Sequence, residues 1–157
     1  MTCRAYLDTE FTSLNRYRAQ LISLALVVRG GPEFYVELTG SWTPADCSPF
    51  VINTVLPLLD HDRYGRTTEQ ARHELLAFLK AIGPVDIITD APDHDWPMLL
   101  WLVGPAGLPA NVGPEPGLLS IDLDADYSGD EPPHHALADA RLLAALVELG
   151  HGHRNIS

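Results

Sequence analysis

Cysteine is scarce in this chain. Cys3 and Cys47 are the only two; they are too few for a disulfide framework and lack the paired spacing of a zinc site, so both are expected as reduced thiols. Long apolar runs are missing as well. Proline, glycine or charge breaks every hydrophobic stretch short of a membrane span, and the N-terminus lacks the charged-then-apolar layout of a secretory signal. The expectation is a soluble, cytoplasmic protein with no membrane partner. Basic residues are the third shortage: 10 Lys and Arg stand against 21 Asp and Glu, a formal net charge of -11. Holding long nucleic acid by broad phosphate neutralisation needs a basic face, and this composition argues against one. Any such contact must be local, from Arg16 and Arg18 or from Arg63, Arg66 and Arg72, although solvated surface sites are the ordinary place for arginine.

What is present suits one globular domain. With 157 residues and 46% hydrophobic content, residues 1–150 can bury a substantial core, and 151–157 reads as a flexible tail. A strand is expected over Ala5 to Asp8, a second over Ala19 to Val28, and after the turn Gly30-Gly31-Pro32 a third over Glu33 to Leu38. Thr43 to Leu59 is mixed but mostly helical, with Val51, Val55, Leu58 and Leu59 at helical intervals, Pro49 in a first turn and Pro57 as a kink or end. Thr67 followed by Gln70 is a capping-box pattern, and Ala71, Leu75, Leu79 and Ile82 form the apolar stripe of the helix it opens, which Gly83-Pro84 stops. Val85 to Thr89 is a short strand, Asp90 to Asp95 an acidic loop, and Trp96 to Val103 an apolar helix. A loop over 104–117, a strand over 118–123 and a helix from His135 to Leu149 complete the order. Three strands followed by alternating helix and strand predict an α/β fold: a central mixed sheet with an antiparallel three-stranded start, flanked by helices.

The chemistry centres on Asp8-Thr9-Glu10. On a strand, Asp8 and Glu10 project from one face, because side chains alternate with period two. Two acids that close repel one another, and a hard divalent ion keeps both ionised; the plain alternative is an acidic turn after an edge strand. Further carboxylates recur at Asp90, Asp93 and Asp95 after the fourth strand and at Asp139 in the last helix. Open sheets gather ligands at strand ends, so these clusters can converge.

Asp8-Thr9-Glu10, an aspartate opening a helix after a strand, and His134-His135-Ala136-Leu137-Ala138-Asp139 together resemble the three motifs of the DEDDh 3′-to-5′ exonucleases. The chain is most similar there to the small ribonuclease T-like exoribonucleases, over roughly Asp8 to Leu146. That resemblance implies a ribonuclease H-like fold and two Mg²⁺ or Mn²⁺ ions held by Asp8, Glu10, Asp95 and Asp139. It also implies single-stranded 3′ ends as substrate, RNA rather than DNA, and pairing as a homodimer. It assigns His134 as general base, where helical spacing alone would choose His135, the i, i+4 neighbour of Asp139. The middle motif departs from the pattern: His94 stands where relatives carry an aromatic and Asp90 where they carry an amide. Asp93 therefore remains an alternative to Asp95, Asp90 reads equally as a helix-entry or loop acid, and His94 as an outer polar group or an exposed one.

Phe11, Thr12 and Leu14 follow the first motif, where the family touches the terminal nucleotide; core packing for Phe11 and loop anchoring for Leu14 are the plain alternatives. His61-Asp62 and Asp122, Asp124 and Asp126 read as solvated loop groups. A binding module that has lost catalysis, and a phosphohydrolase of free nucleotides, are the competing functions.

Overall fold

A computed structural model describes residues 1–117, 119 and 133–154. The expected strand over 118–123, the acids Asp122, Asp124 and Asp126, and 155–157 of the expected tail lie outside the described residues. Strand β1 (Cys3–Phe11) is followed by β2 (Leu21–Val27) and β3 (Glu33–Leu38). Short helices α1 (Pro49–Thr54) and α2 (His61–Tyr64) lead to a two-residue strand, β4 (Gly65–Arg66). Then come α3 (Thr68–Ala81), β5 (Val85–Ile88), α4 (Pro92–Val103) and α5 (Ala136–Arg154).

The sheet runs in the order β4-β3-β2-β1-β5. β1, β2 and β3 are antiparallel neighbours, while β5 pairs parallel to β1 and β4 parallel to β3. The fold is thus α/β with a five-stranded mixed sheet flanked by helices. Gly30, at φ 73, makes the turn between β2 and β3, a backbone region open to glycine without steric cost.

Period-two alternation splits β1 between two cores. Ala5 and Leu7 pack with Leu24 and Leu26 against α3 and α4, through Leu75, Leu79, Leu99 and Leu102. Tyr6 packs on the opposite face with Ala25, Val27 and Ile88 against α5. On α5, Ala136, Ala140 and Ala144 recur every fourth residue in that core. Small side chains at that spacing let the helix lie close to the sheet, which carries Asp139 toward β1.

Several boundaries differ from the expectation. β1 extends through both acids to Phe11, with an irregularity at Glu10/Phe11 where the pairing to β2 shifts register. The helix expected over 43–59 is three short pieces: a 3₁₀ turn at Pro44–Asp46, α1, and a second 3₁₀ turn at Leu56–Leu58. Pro44, Pro49 and Pro57 each stand at the front of a piece, where a missing N–H costs nothing, and so divide the segment. α4 begins at Pro92 rather than Trp96, so Asp93 and Asp95 lie in its first turn and Pro97 lies inside the helix, beyond that turn. α5 starts one residue after His135 and runs on to Arg154, taking in four residues expected as tail.

Candidate metal centre

The acids of β1 face α5, level with Ala25 and Ser23 of β2. β5 ends in register with Tyr6, its last pair being Tyr6 with Ile88. Continuing that parallel register by two residues sets Asp90 beside Asp8. Two groups of carboxylates result: Asp8, Asp90 and Asp95, and Asp8, Glu10 and Asp139, with the ligand atoms in each group within 4.8 Å of one another. Asp8 belongs to both. Asp8 Oδ2 and Asp139 Oδ1 are buried and have no hydrogen-bond partner among the described residues. A buried, unpaired carboxylate oxygen is costly. An all-oxygen donor set with such orphans fits a hard divalent cation of the Mg²⁺, Mn²⁺ or Ca²⁺ kind.

Burial and mutual repulsion set the electrostatics. Asp8 is pushed well above the usual carboxylate range, first by burial and then by Asp95, Glu10, Asp139 and Asp90. Glu10 rises to about 8, through burial and then the charge of Asp139. Asp95 and Asp139 each rise to about 6, again chiefly by burial; for Asp139 the nearby His134 acts in the opposite sense. Asp90, though exposed, is raised by the loss of water on its protein side. Burial and mutual repulsion thus both favour the protonated acids, and a bound cation would favour the ionised ones.

Asp95 is the best-anchored of the acids. It is 2% exposed, with Thr9 Oγ1 donating to Oδ1 at 2.7 Å and Thr89 Oγ1 donating to Oδ2. Three elements therefore meet at one carboxylate: Thr9 from β1, Thr89 at the end of β5, and α4. Asp93, its rival, points to solvent and belongs to neither group.

The histidine pair diverges. Both residues precede α5, so the helical-face argument for His135 does not apply; its carbonyl instead accepts the Asp139 N–H at 2.8 Å. His134 holds φ 54 and sets its ring edge-on to Phe50, with centroids 5.0 Å apart. His135 packs on the Tyr35 ring at 4.9 Å, and its pKa is lowered by burial. Tyr35 donates its hydroxyl to Glu37, a fully buried carboxylate that also accepts the Asp60 N–H at 2.8 and 3.1 Å. His134 thus lies toward Asp139, and His135 toward β3.

Of the residues expected at the substrate, Phe11 stacks on His94 with centroids 5.3 Å apart and planes 20° apart. Leu14 is 78% exposed, in the loop between β1 and β2. Thr12 is buried and closes the neck of that loop: its N–H donates to the Gln20 carbonyl, its Oγ1 accepts from the Gln20 N–H, and its carbonyl accepts from the Ser48 N–H. Among the candidate cations, Arg66 is paired with Glu74, Arg72 donates to the carbonyls of Trp101 and Leu102, and Arg63 lies over the Tyr64 ring. Arg16 and Arg18 are exposed and have no such partner among the described residues.

Sequence reasoning offers Asp90 only as an acid that can converge or equally as a helix-entry or loop acid, and it gives the two threonines no role. Neither hydrophobic periodicity nor motif spacing marks them; only the parallel register of β5 against β1 brings Thr89 and Asp90 to the acids. No protein-family model matches the chain, and no curated protein does. Among the described residues no helix is long and apolar enough to cross a membrane.

Proposed function

We propose that this protein is a 3′-to-5′ exonuclease of ribonuclease H-like fold that releases nucleoside 5′-monophosphates from single-stranded RNA, and less readily from DNA. One observation carries the reading: two carboxylate groups share Asp8, each tight enough for one divalent ion. Asp8, Glu10 and Asp139 would hold one Mg²⁺ or Mn²⁺ ion, and Asp8 with Asp90 and Asp95 a second. Such a pair, when bound, supplies charge stabilisation to the attacking and leaving oxygens of an in-line phosphoryl displacement.

The chain's own groups have separate tasks. The hydroxyls of Thr9 and Thr89 hold the Asp95 carboxylate in one orientation, so that it meets a cation without rearrangement. His134 accepts the proton of the attacking water, work suited to an imidazole near neutral pH. Its position outside the regular helix frees it from the helical face that Asp139 occupies. Leu14, exposed beyond the acid strand, supplies an apolar wedge beside the terminal base, and Phe11 backs it through its stack on His94.

The test uses 5′-labelled single-stranded RNA with Mg²⁺ or Mn²⁺, beside an Asp8→Ala variant. A ladder shortening from the 3′ end with wild type alone supports the reading. Bound but intact RNA points to a binding module of the same fold, and turnover of free nucleotides alone to a phosphohydrolase. The resemblance also carries homodimer formation, which sedimentation equilibrium measures directly.

A further inference from the structure

The loop between β1 and β2 and helix α4 bound the acid cluster on one side, meeting at the Phe11–His94 stack. The same two elements also bound a groove of about 340 Å³, whose walls include Arg16 and Gln20 from the loop region and Met98 and Trp101 from α4. That volume falls within the ordinary range for small-ligand pockets, about 300–1,000 Å³.

Three features of this groove call for a ligand. Trp101 is 47% exposed, which leaves its aromatic face on the groove wall open to a stacking partner. Arg16, in a chain of net charge -11, carries a positive charge that is committed to no glutamate or carbonyl among the described residues. Ser41, on the groove wall, has a buried hydroxyl with no hydrogen-bond partner among the described residues. An aromatic face, an uncommitted guanidinium and a spare hydroxyl match a base, a phosphate and a sugar or base edge. The helix sets the spacing: Trp101 follows Asp95 by six residues, roughly 9 Å along the axis at 1.5 Å per residue, far enough to serve a nucleotide other than the one being cleaved.

We propose that this groove is a further nucleotide subsite, which stacks on Trp101 a base of single-stranded substrate lying beyond the penultimate nucleotide, out of reach of a dinucleotide, and sets its phosphate beside Arg16. The proposal rests on the exonuclease reading and deepens it. Stacking accepts every base, so the subsite favours length over sequence. Arg16 anchors the strand at a point, which is all an acidic protein can offer a polyanion.

Trp101→Ala, Trp101→Phe and Arg16→Ala, assayed on an RNA octamer and on a dinucleotide, test the idea. Trp101→Ala and Arg16→Ala should lower kcat/KM for the octamer through KM, by about 5- to 100-fold for the lost stack. Dinucleotide turnover should be unchanged, which also shows that the variants fold, and Trp101→Phe should restore most of the loss. Equal effects on both lengths, or none on the octamer, would overturn the subsite. So would sedimentation showing that Trp101→Ala splits a dimer, since a second copy would then be what covers the groove. Failure of wild type to cleave either RNA removes the exonuclease reading itself, and the subsite with it; cleavage of both with no dependence on Trp101 or Arg16 removes the subsite alone.

Discussion

At the scale of single residues, the site is a set of acids that resist ionisation. Glu10 at about 8, with Asp95 and Asp139 at about 6, all lie above their unfolded values. Between roughly pH 4 and 8 the folded chain therefore binds more protons than the unfolded one, and stability falls as pH rises. In EDTA the melting temperature should be higher near pH 5 than near pH 8. Added Mg²⁺ or Mn²⁺ should raise it most at the alkaline end, where ions no longer compete with protons. A scan of melting temperature against pH, with and without metal, checks both signs. The threonines make a second prediction. Thr9→Val or Thr89→Val removes a hydrogen bond to a buried carboxylate and should cost about 1.5–3 kcal/mol in urea unfolding. Weaker Mn²⁺ binding by calorimetry should accompany the loss, whereas the exposed Asp93→Asn should change neither.

Among the elements, legibility followed the strength of the local signal. The hairpin of β2 and β3 announces itself by apolar runs around Gly30-Gly31-Pro32, and α3 by a cap that the structure forms in full, with Thr67 and Gln70 bonded reciprocally. Thr67→Ala should cost about 1 kcal/mol without touching metal binding, measurable by chemical denaturation. Segment 43–59 misleads because apolar spacing outlives the proline breaks that cut it. β4 is too short for any periodicity, and its two residues form a strand only because Glu37 and Leu38 of β3 are there to pair with them. The first and last acid motifs were readable because strand alternation and the residues before α5 carry them. The ligand role of Asp90 and the anchoring roles of Thr9 and Thr89 were not, since they arise from the packing of β5 and α4 against β1, contacts between segments about eighty residues apart.

The molecule as a whole is an acidic body, and among its described residues several arginines are already engaged by its own glutamates and carbonyls. Arg4 meets Glu148 and Arg141 meets Glu33, leaving few cations for a polyanion. RNA binding should therefore depend only weakly on monovalent salt. At about 0.7 per phosphate neutralised, the two arginines uncommitted among the described residues predict a log–log slope no steeper than about -1.5, to be read from a salt titration of RNA affinity in the presence of Mg²⁺. The order of the chain adds a different consequence. Asp8 and Glu10 lie on the first strand, whereas His134 and Asp139 arrive with the last helix, whose alanines must first seat on Tyr6 and Ala25. A chain not yet elongated into α5 thus holds Asp8, Asp90 and Asp95 but lacks the Asp139 that completes the second carboxylate group, so only one of the two groups can form before that helix docks.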